Sequence, residues 1–356
     1  MRFYSLRIAD VRRETEDAVS IGLAVPETLR GTFAFRPGQY LTLRAMIDGR
    51  EVRRAYSICA GLDEGVLRVA IKHVPGGVFS HHANTRLREG DLIEAMPPEG
   101  RFGLVPGTPP QPRLLLGLAA GSGITPILSI LKSTLAREPA SRFVLLYGSR
   151  STSRILFRAE LEDLKDRHLE RLVVVHTLSR EAQDVAALNG RLDAAKLRAL
   201  LPGLADPAAI DQAFVCGPAT MVEELPTALV AMGMDEGCIQ VERFTPAAPS
   251  GPRPAVAREA AVAAAAIATI IHDGTTNAVP VAAGETVLDA ALRAGLDLPW
   301  SCHGGMCSTC RARITEGAVR MAANFSLEPW ETAAGYALTC QSHPTTERLT
   351  VDYDHA

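Results

Sequence analysis

The sequence predicts a multidomain protein with three successive folds: an antiparallel β-barrel, a parallel-sheet α/β domain and a C-terminal α+β domain. Three observations carry that expectation. In the first hundred or so positions, apolar and polar residues alternate in short pieces, with Val19, Ile21, Leu23 and Val25 on one face and Leu67, Val69 and Ile71 on another. This is the period of half-buried antiparallel strands, which a small barrel accommodates. The periodicity then changes. Continuous apolar runs, Leu114 to Ala120, Phe143 to Tyr147, Leu172 to Val175 and Ala213 to Cys216, are each followed by a helical pattern, which predicts buried strands of a parallel sheet with ligands at their carboxyl ends. Finally, the stretch TPAAPSGPRP from Thr245 to Pro254 has the composition of a semi-rigid connector. The expected boundaries are a barrel over 1–110, the α/β domain over 111–245, a linker over 246–260 and the last domain over 261–356.

Composition excludes several classes of function. A formal net charge of −3 without a long basic run gives no footprint for nucleic acid. The most apolar run, residues 260–271, is rich in alanine and well short of the ~20 residues that span a bilayer, so no membrane partner is expected. The N-terminus mixes both charge signs and lacks the apolar stretch of a secretory signal. Of seven cysteines, Cys59, Cys216 and Cys238 lie outside the cluster motif described next. Unpaired thiols fit a reducing cytoplasm better than a disulfide scaffold.

The cysteine pattern carries the sharpest chemistry. Residues 302–310 read CHGGMCSTC, so Cys302, Cys307 and Cys310 follow one another with four and then two residues between them, and Cys340 stands far downstream. That is the plant-type spacing for a [2Fe–2S] cluster. Gly304, Gly305 and Ser308 keep the loop small, leaving backbone N–H groups free to point at sulfur. Four thiolates also suit a structural zinc ion, although zinc ribbons usually pair two Cys-x-x-Cys knuckles and only Cys307 and Cys310 form one here. Around this loop the last domain reads as a strand over Ile267, Thr269 and Ile271, a turn at Asp273-Gly274, and a helix from Thr286 to Gly295 with Val287, Leu288, Ala291 and Leu292 on one face.

Two stretches of the barrel can meet a phosphorylated ring. In Arg53-Arg54-Ala55-Tyr56-Ser57 an arginine, an aromatic and a hydroxyl are expected to project from one side of a strand; in Gly76-Gly77-Val78-Phe79-Ser80 the glycines can open a helix onto a phosphate. Alone, the first is more often surface decoration and the second usually just a turn. In the α/β domain, Ala120-Gly121-Ser122-Gly123-Ile124-Thr125-Pro126 places a glycine loop before a helix, with Thr125 expected as N-cap and Pro126 at the first helical position. It departs from Gly-x-Gly-x-x-Gly, because Pro126 stands where the third glycine would be.

These motifs together resemble the ferredoxin–NADP reductase superfamily. The resemblance implies FAD, with Arg54 on its phosphates, Ala55 between the contacting residues, Tyr56 against the isoalloxazine, Ser57 beside N5, and Gly77 and Ser80 at the pyrophosphate. It implies a nicotinamide nucleotide whose pyrophosphate lies on Gly121, Gly123, Thr125 and Pro126, with Cys216, Gly217 and Pro218 flanking the nicotinamide, and Phe244 as an aromatic covering the flavin face. Arg150, after Tyr147-Gly148-Ser149, can take a 2′-phosphate, and no acid stands there, which favours NADPH over NADH. The C-terminal domain is similar to a plant-type ferredoxin, hence a β-grasp. Asn324-Phe325-Ser326-Leu327-Glu328-Pro329 and Gly335 to Gln341 extend the resemblance to multicomponent oxygenase reductases, the phenylacetyl-CoA epoxidase type in particular. The expected function is electron transfer from NAD(P)H through FAD and [2Fe–2S] to a partner oxygenase, because a hydride delivers two electrons and a cluster accepts one. The alternatives are the reductase of another aromatic or alkane oxygenase, a free-standing ferric or nitro-compound reductase, and a redox-sensing binding module.

Overall fold

The computed structural model describes residues 2–107, 109, 111–244 and 264–355, in two compact units. The larger comprises Arg2–Val52 and Tyr56–Phe244; the smaller is built mainly from the C-terminal segment. The expected linker, 246–260, lies outside the described residues. Among the described residues, no helix is long and apolar enough to cross a membrane.

The N-terminal part of the chain forms a six-stranded antiparallel sheet of β1 (Tyr4–Thr15), β2 (Ala18–Ala24), β3 (Tyr40–Ile47), β4 (Arg50–Ser57), β5 (Leu67–Lys72) and β6 (Leu92–Ala95), with helix α1 (Val78–Thr85) between the last two. The spatial order is β4-β3-β6-β1-β2-β5. An antiparallel bridge from Ile58, just beyond β4, to Val69 in β5 joins the two edges, so the sheet curls on itself and leaves little unpaired backbone. The expected alternation is the reason: Val19, Ile21, Leu23, Leu67, Val69 and Ile71 all enter one buried core with Phe79 of α1.

The larger unit continues into a five-stranded parallel sheet: β7 (Leu114–Ala120), α2 (Ile124–Arg137), β8 (Arg142–Ser149), α3 (Arg158–Arg167), β9 (Leu172–Leu178), α4 (Ala194–Leu200), β10 (Gln212–Gly217), α5 (Ala219–Ala231) and β11 (Ile239–Arg243). All four expected strands form. Their order, β11-β10-β7-β8-β9, reverses direction between β7 and β10, and ligands of such sheets bind at that switch point. Separate cores fill the two faces, one led by Ile127, Leu131, Phe143 and Phe214 and the other by Leu118, Leu146, Val215 and Leu225. The continuous apolar runs reflect burial on both sides.

The smaller unit has β12 (Ala264–His272), β13 (Thr275–Ala282), α6 (Val287–Arg293), β14 (Arg311–Glu316), β15 (Val319–Met321), α7 (Pro329–Ala333), β16 (Tyr336–Leu338), β17 (Ser342–Pro344) and β18 (Arg348–Asp352). Its main sheet runs β13-β12-β18-β14-β16, with β12 and β18 parallel and the other pairs antiparallel. Thr286 caps α6, its hydroxyl accepting from the Asp289 N–H at 3.1 Å, and Gly295 turns the chain away at φ +86°. From Ala264 on, the alanine-rich stretch is strand rather than helix because β13 and β18 complete its ladder on both sides. The buried face is Ala266, Ala268 and Ile270, whereas Ile267 is exposed. That face shares one core with Val287, Leu288, Ala290 and Ala291 of α6.

Candidate functional site

The switch point unites motifs that are far apart in sequence. β7 runs into a 3-10 turn, Gly121–Gly123, and then α2. Gly121 adopts φ +57°, and nothing lies within 4 Å of where its Cβ would be: this is open ground at the carboxyl edge of the sheet. Gly123 is needed for the opposite reason, since a Cβ there would collide with the Cys216 carbonyl oxygen. The Tyr147 hydroxyl donates to the Gly121 carbonyl at 2.9 Å and fixes the loop from below. The helix starts earlier than the sequence suggests. Gly123 is the N-cap, while Thr125 and Pro126 fall within the first turn, because the 3-10 turn begins the winding. Thr125 is buried, its hydroxyl donating to the Ser122 carbonyl at 2.9 Å.

Cys216 is the penultimate residue of the adjacent β10, fully buried, with Gly217 ending the strand and Pro218 capping α5. Burial pushes its thiol well above the ordinary value, with the Glu242 carboxylate adding to the effect. In the parallel register Cys216 pairs with Glu242 of β11, and burial raises the Glu242 carboxyl to about 8. Phe244 follows β11, partly buried against the core below. Sequence reasoning gave Glu242 no role, because only the strand register places it beside Cys216. Arg150 follows β8, exposed, and its carbonyl accepts from the Arg180 N–H at 2.8 Å. Arg180 is also exposed and follows β9. Two Ser-Arg pairs, Ser149-Arg150 and Ser179-Arg180, thus stand side by side, a repeat present in the sequence whose alignment only the sheet register supplies. Nearby Arg154 and Arg158 are engaged with Asp17 and Glu162 at 2.6 and 2.8 Å.

In the barrel, β4 carries Arg54, Ala55, Tyr56 and Ser57. Strand alternation corrects one expectation: Arg54 and Tyr56 share a face, and Ser57, one residue on, turns to the other. Ser57 is buried. The Tyr56 ring lies 5.5 Å from that of Phe79 in α1, linking the strand to the helix that Gly77 caps. A Cβ on Gly77 would come within 2.6 Å of the Ser80 hydroxyl. That hydroxyl accepts from the Val74 N–H at 3.1 Å and donates to the Gly77 carbonyl at 3.2 Å, so it closes the turn. The glycine keeps the helix N-terminus uncovered, which suits an anion such as a pyrophosphate.

In the smaller unit, the thiols of Cys302, Cys307, Cys310 and Cys340 come together as two hydrogen-bonded pairs. The bond from Cys307 and the backbone N–H groups of Gly304 and Met306, 3.3 and 3.4 Å from Cys302 Sγ, hold Cys302 below its ordinary value. Cys307 is pushed up by the same bond and by burial. Likewise Cys340 is lowered by its bond with Cys310, which is itself raised. Four thiols gathered in one loop region, with backbone N–H groups aimed at Cys302 sulfur, suit the thiolate ligation of a [2Fe–2S] cluster.

Comparison with known proteins agrees. A model of the oxidoreductase FAD-binding domain matches residues 5–103, one of the oxidoreductase NAD-binding domain residues 118–226, and one of the 2Fe-2S iron-sulfur cluster binding domain residues 270–345. The chain is 45% identical over 354 residues to a subunit of the 1,2-phenylacetyl-CoA epoxidase of Escherichia coli (strain K12), covering 99% of this chain and 98% of that protein. It is 34% identical over 355 residues to the ferredoxin reductase component of 3-ketosteroid-9-alpha-monooxygenase from Rhodococcus rhodochrous, covering 98% and 96%. Among solved structures, phthalate dioxygenase reductase matches with a TM-score of 0.59 at 23% identity, over 98% of both chains. The fold, the three cofactor domains and the sequence relatives lead to one conclusion: the chain belongs to the ferredoxin–NADP reductase superfamily, among the oxygenase reductases with a C-terminal plant-type [2Fe–2S] domain.

Proposed function

We propose that this reductase takes electrons from NADPH and delivers them to the oxygenase component of a phenylacetyl-CoA epoxidase. One observation carries the choice of partner: the 45% identity to the Escherichia coli epoxidase protein runs over 99% of this chain and 98% of that one, so the relative shares all three domains. When bound, FAD supplies two-electron acceptance with one-electron release, and the cluster one-electron carriage.

The chain's own residues bind and orient. Arg54 offers its guanidinium to the flavin phosphates, Ala55 leaves room along the strand, Tyr56 supports the ring, and Ser57, where β4 ends, supplies its hydroxyl to the reacting edge from beside the face that Arg54 and Tyr56 share. Gly77 and Ser80 hold the pyrophosphate at the start of α1. On the nicotinamide side, Gly121, Gly123, Thr125 and Pro126 form the phosphate turn. Cys216, Gly217 and Pro218 wall the nicotinamide, with Glu242 alongside, and Phe244 shields the flavin face until the nucleotide arrives. Arg150 and Arg180 supply two guanidinium groups for a 2′-phosphate, where NADH would offer only a hydroxyl. The unpaired thiols fit a cytoplasmic setting.

The test is reconstitution with the oxygenase component of a phenylacetyl-CoA epoxidase, supplied with NADPH or NADH. Epoxidation that stays at the no-reductase background overturns the partner, and equal kcat/KM for the two nucleotides overturns the NADPH preference. Rapid NAD(P)H-driven reduction of cytochrome c discards the redox-sensing module.

A further inference from the structure

Gln341, the residue after the fourth cysteine, joins the segment that carries Cys302 to the segment that carries Cys340. Its side-chain Nε2 lies 2.8 Å from the His303 carbonyl, 2.9 Å from the Cys340 carbonyl and 3.6 Å from Cys340 Sγ. Its backbone carbonyl accepts from the Ala322 N–H at 2.9 Å. Its Cγ would stand 3.2 Å from a Cβ on Gly305. One amide therefore spans the segment carrying Cys302 and the segment carrying Cys340.

The partner it grips in the loop is not an ordinary one. His303 has φ +52°, a left-handed conformation that a non-glycine residue holds only when its surroundings impose it. The His303 carbonyl is where Gln341 takes hold, one residue from Cys302. The amide's two N–H groups are thus shared among three acceptors, the farthest being the Cys340 sulfur at 3.6 Å, and hydrogen bonds to cluster sulfurs favour the reduced, more negative state.

From this geometry we infer that Gln341 is a positioning residue for the cluster: it locks the cysteine loop onto the fourth ligand and raises the cluster's reduction potential by donating to Cys340 sulfur. The inference rests on the electron-transfer role proposed above and deepens it. Gln341 contributes no ligand, so its removal leaves four thiolates in place.

The experiment compares the purified full-length protein with Q341M, which keeps the side-chain length without a donor, and Q341E, which replaces the amide with an acceptor carrying negative charge. Iron, acid-labile sulfide and flavin are quantified, and the cluster is titrated against redox dyes with its electron paramagnetic resonance spectrum as readout. The expected result is a shift to more negative potential in Q341M and a larger one in Q341E. Flavin content and NAD(P)H-driven ferricyanide reduction should be unchanged. A Q341M protein with native circular dichroism and flavin but less than half the iron and sulfide also supports the lock. Wild-type cluster content, spectrum and potential in Q341M overturn it. Absence of a cluster from the wild-type protein would instead refute the electron-transfer role itself, so the two failures are distinguishable.

Discussion

The glycine loop after β7 and the cysteine loop at 302–310 both place backbone in the left-handed region, but for different reasons. In the first, Gly121 takes φ +57°, and the shape is set by the protein: Gly123 abuts the Cys216 carbonyl and Tyr147 bonds to Gly121. In the second, His303 and Ser308 adopt φ +52° and +56° beside Gly305 at +75°. Left-handed geometry costs a non-glycine residue roughly 1–2 kcal/mol, so this loop holds strain that sulfur ligation and the grip of Gln341 must offset. The nucleotide loop is a packed shape that stands ready for its ligand. The cysteine loop is completed by what the thiols hold.

The sharpest way to break this comparison is to remove one thiolate. Cys340→Ser is expected to abolish iron and sulfide binding and lower cytochrome c reduction by about 100-fold, in line with the dependence of metal centres on their full ligand set. NAD(P)H-driven ferricyanide reduction should stay within about twofold, because the flavin and nicotinamide residues do not depend on the sulfur centre. Parallel loss of both activities would show that the two loops are not independent.

The next effect tests the packed loop. Gly123→Ala forces a Cβ onto the Cys216 carbonyl and is expected to cost about 1–3 kcal/mol of stability, the usual penalty of overpacking, with hydride transfer from NAD(P)H slowed as β10 shifts. Urea unfolding and stopped-flow flavin reduction read these out. A variant with native stability would mean the approach of β7 to β10 is slack.

How much of this was legible in the sequence follows the same division. The cysteine loop was fully legible, because its ligands are identified by spacing within a short segment, with one thiol added from beyond. The strands of the parallel sheet were legible as apolar runs. What stayed hidden depends on neighbours far apart in sequence: the pairing of Cys216 with Glu242, the collision that makes Gly123 necessary, and the span of Gln341 from Cys340 to His303. Thr125 misled as an N-cap because a 3-10 turn cannot be told from a helix start by residue type alone. The expectation that Arg54, Tyr56 and Ser57 share one face failed because adjacent strand residues face opposite ways.

A smaller effect sharpens the account of the nucleotide side. Arg150→Ala and Arg180→Ala are each expected to raise the KM for NADPH about tenfold, the equivalent of one charge-assisted hydrogen bond of about 1.5 kcal/mol, while the KM for NADH changes little. Equal rises for both nucleotides would assign the arginines to general attraction.

The smallest effect concerns Glu242. Its carboxyl is raised by burial from 4.5 to about 8, so it keeps its proton in the folded chain where the unfolded chain has lost it. Folding therefore takes up a proton in that window, and this group's contribution to stability falls as pH rises from roughly 4.5 to 8. Glu242→Gln removes the dependence, so the variant should gain in Tm relative to the parent between pH 5 and pH 9. A Tm difference independent of pH would place the carboxyl in solvent.

The most direct measurement is anaerobic titration of the purified chain with NADPH, following flavin absorbance and the electron paramagnetic resonance signal of the reduced cluster together. If a single polypeptide relays nicotinamide electrons to its own iron–sulfur centre, the cluster signal grows in step with flavin bleaching, with no partner added. Bleached flavin beside a cluster that stays oxidised, at a potential the nucleotide can reach, would contradict the account.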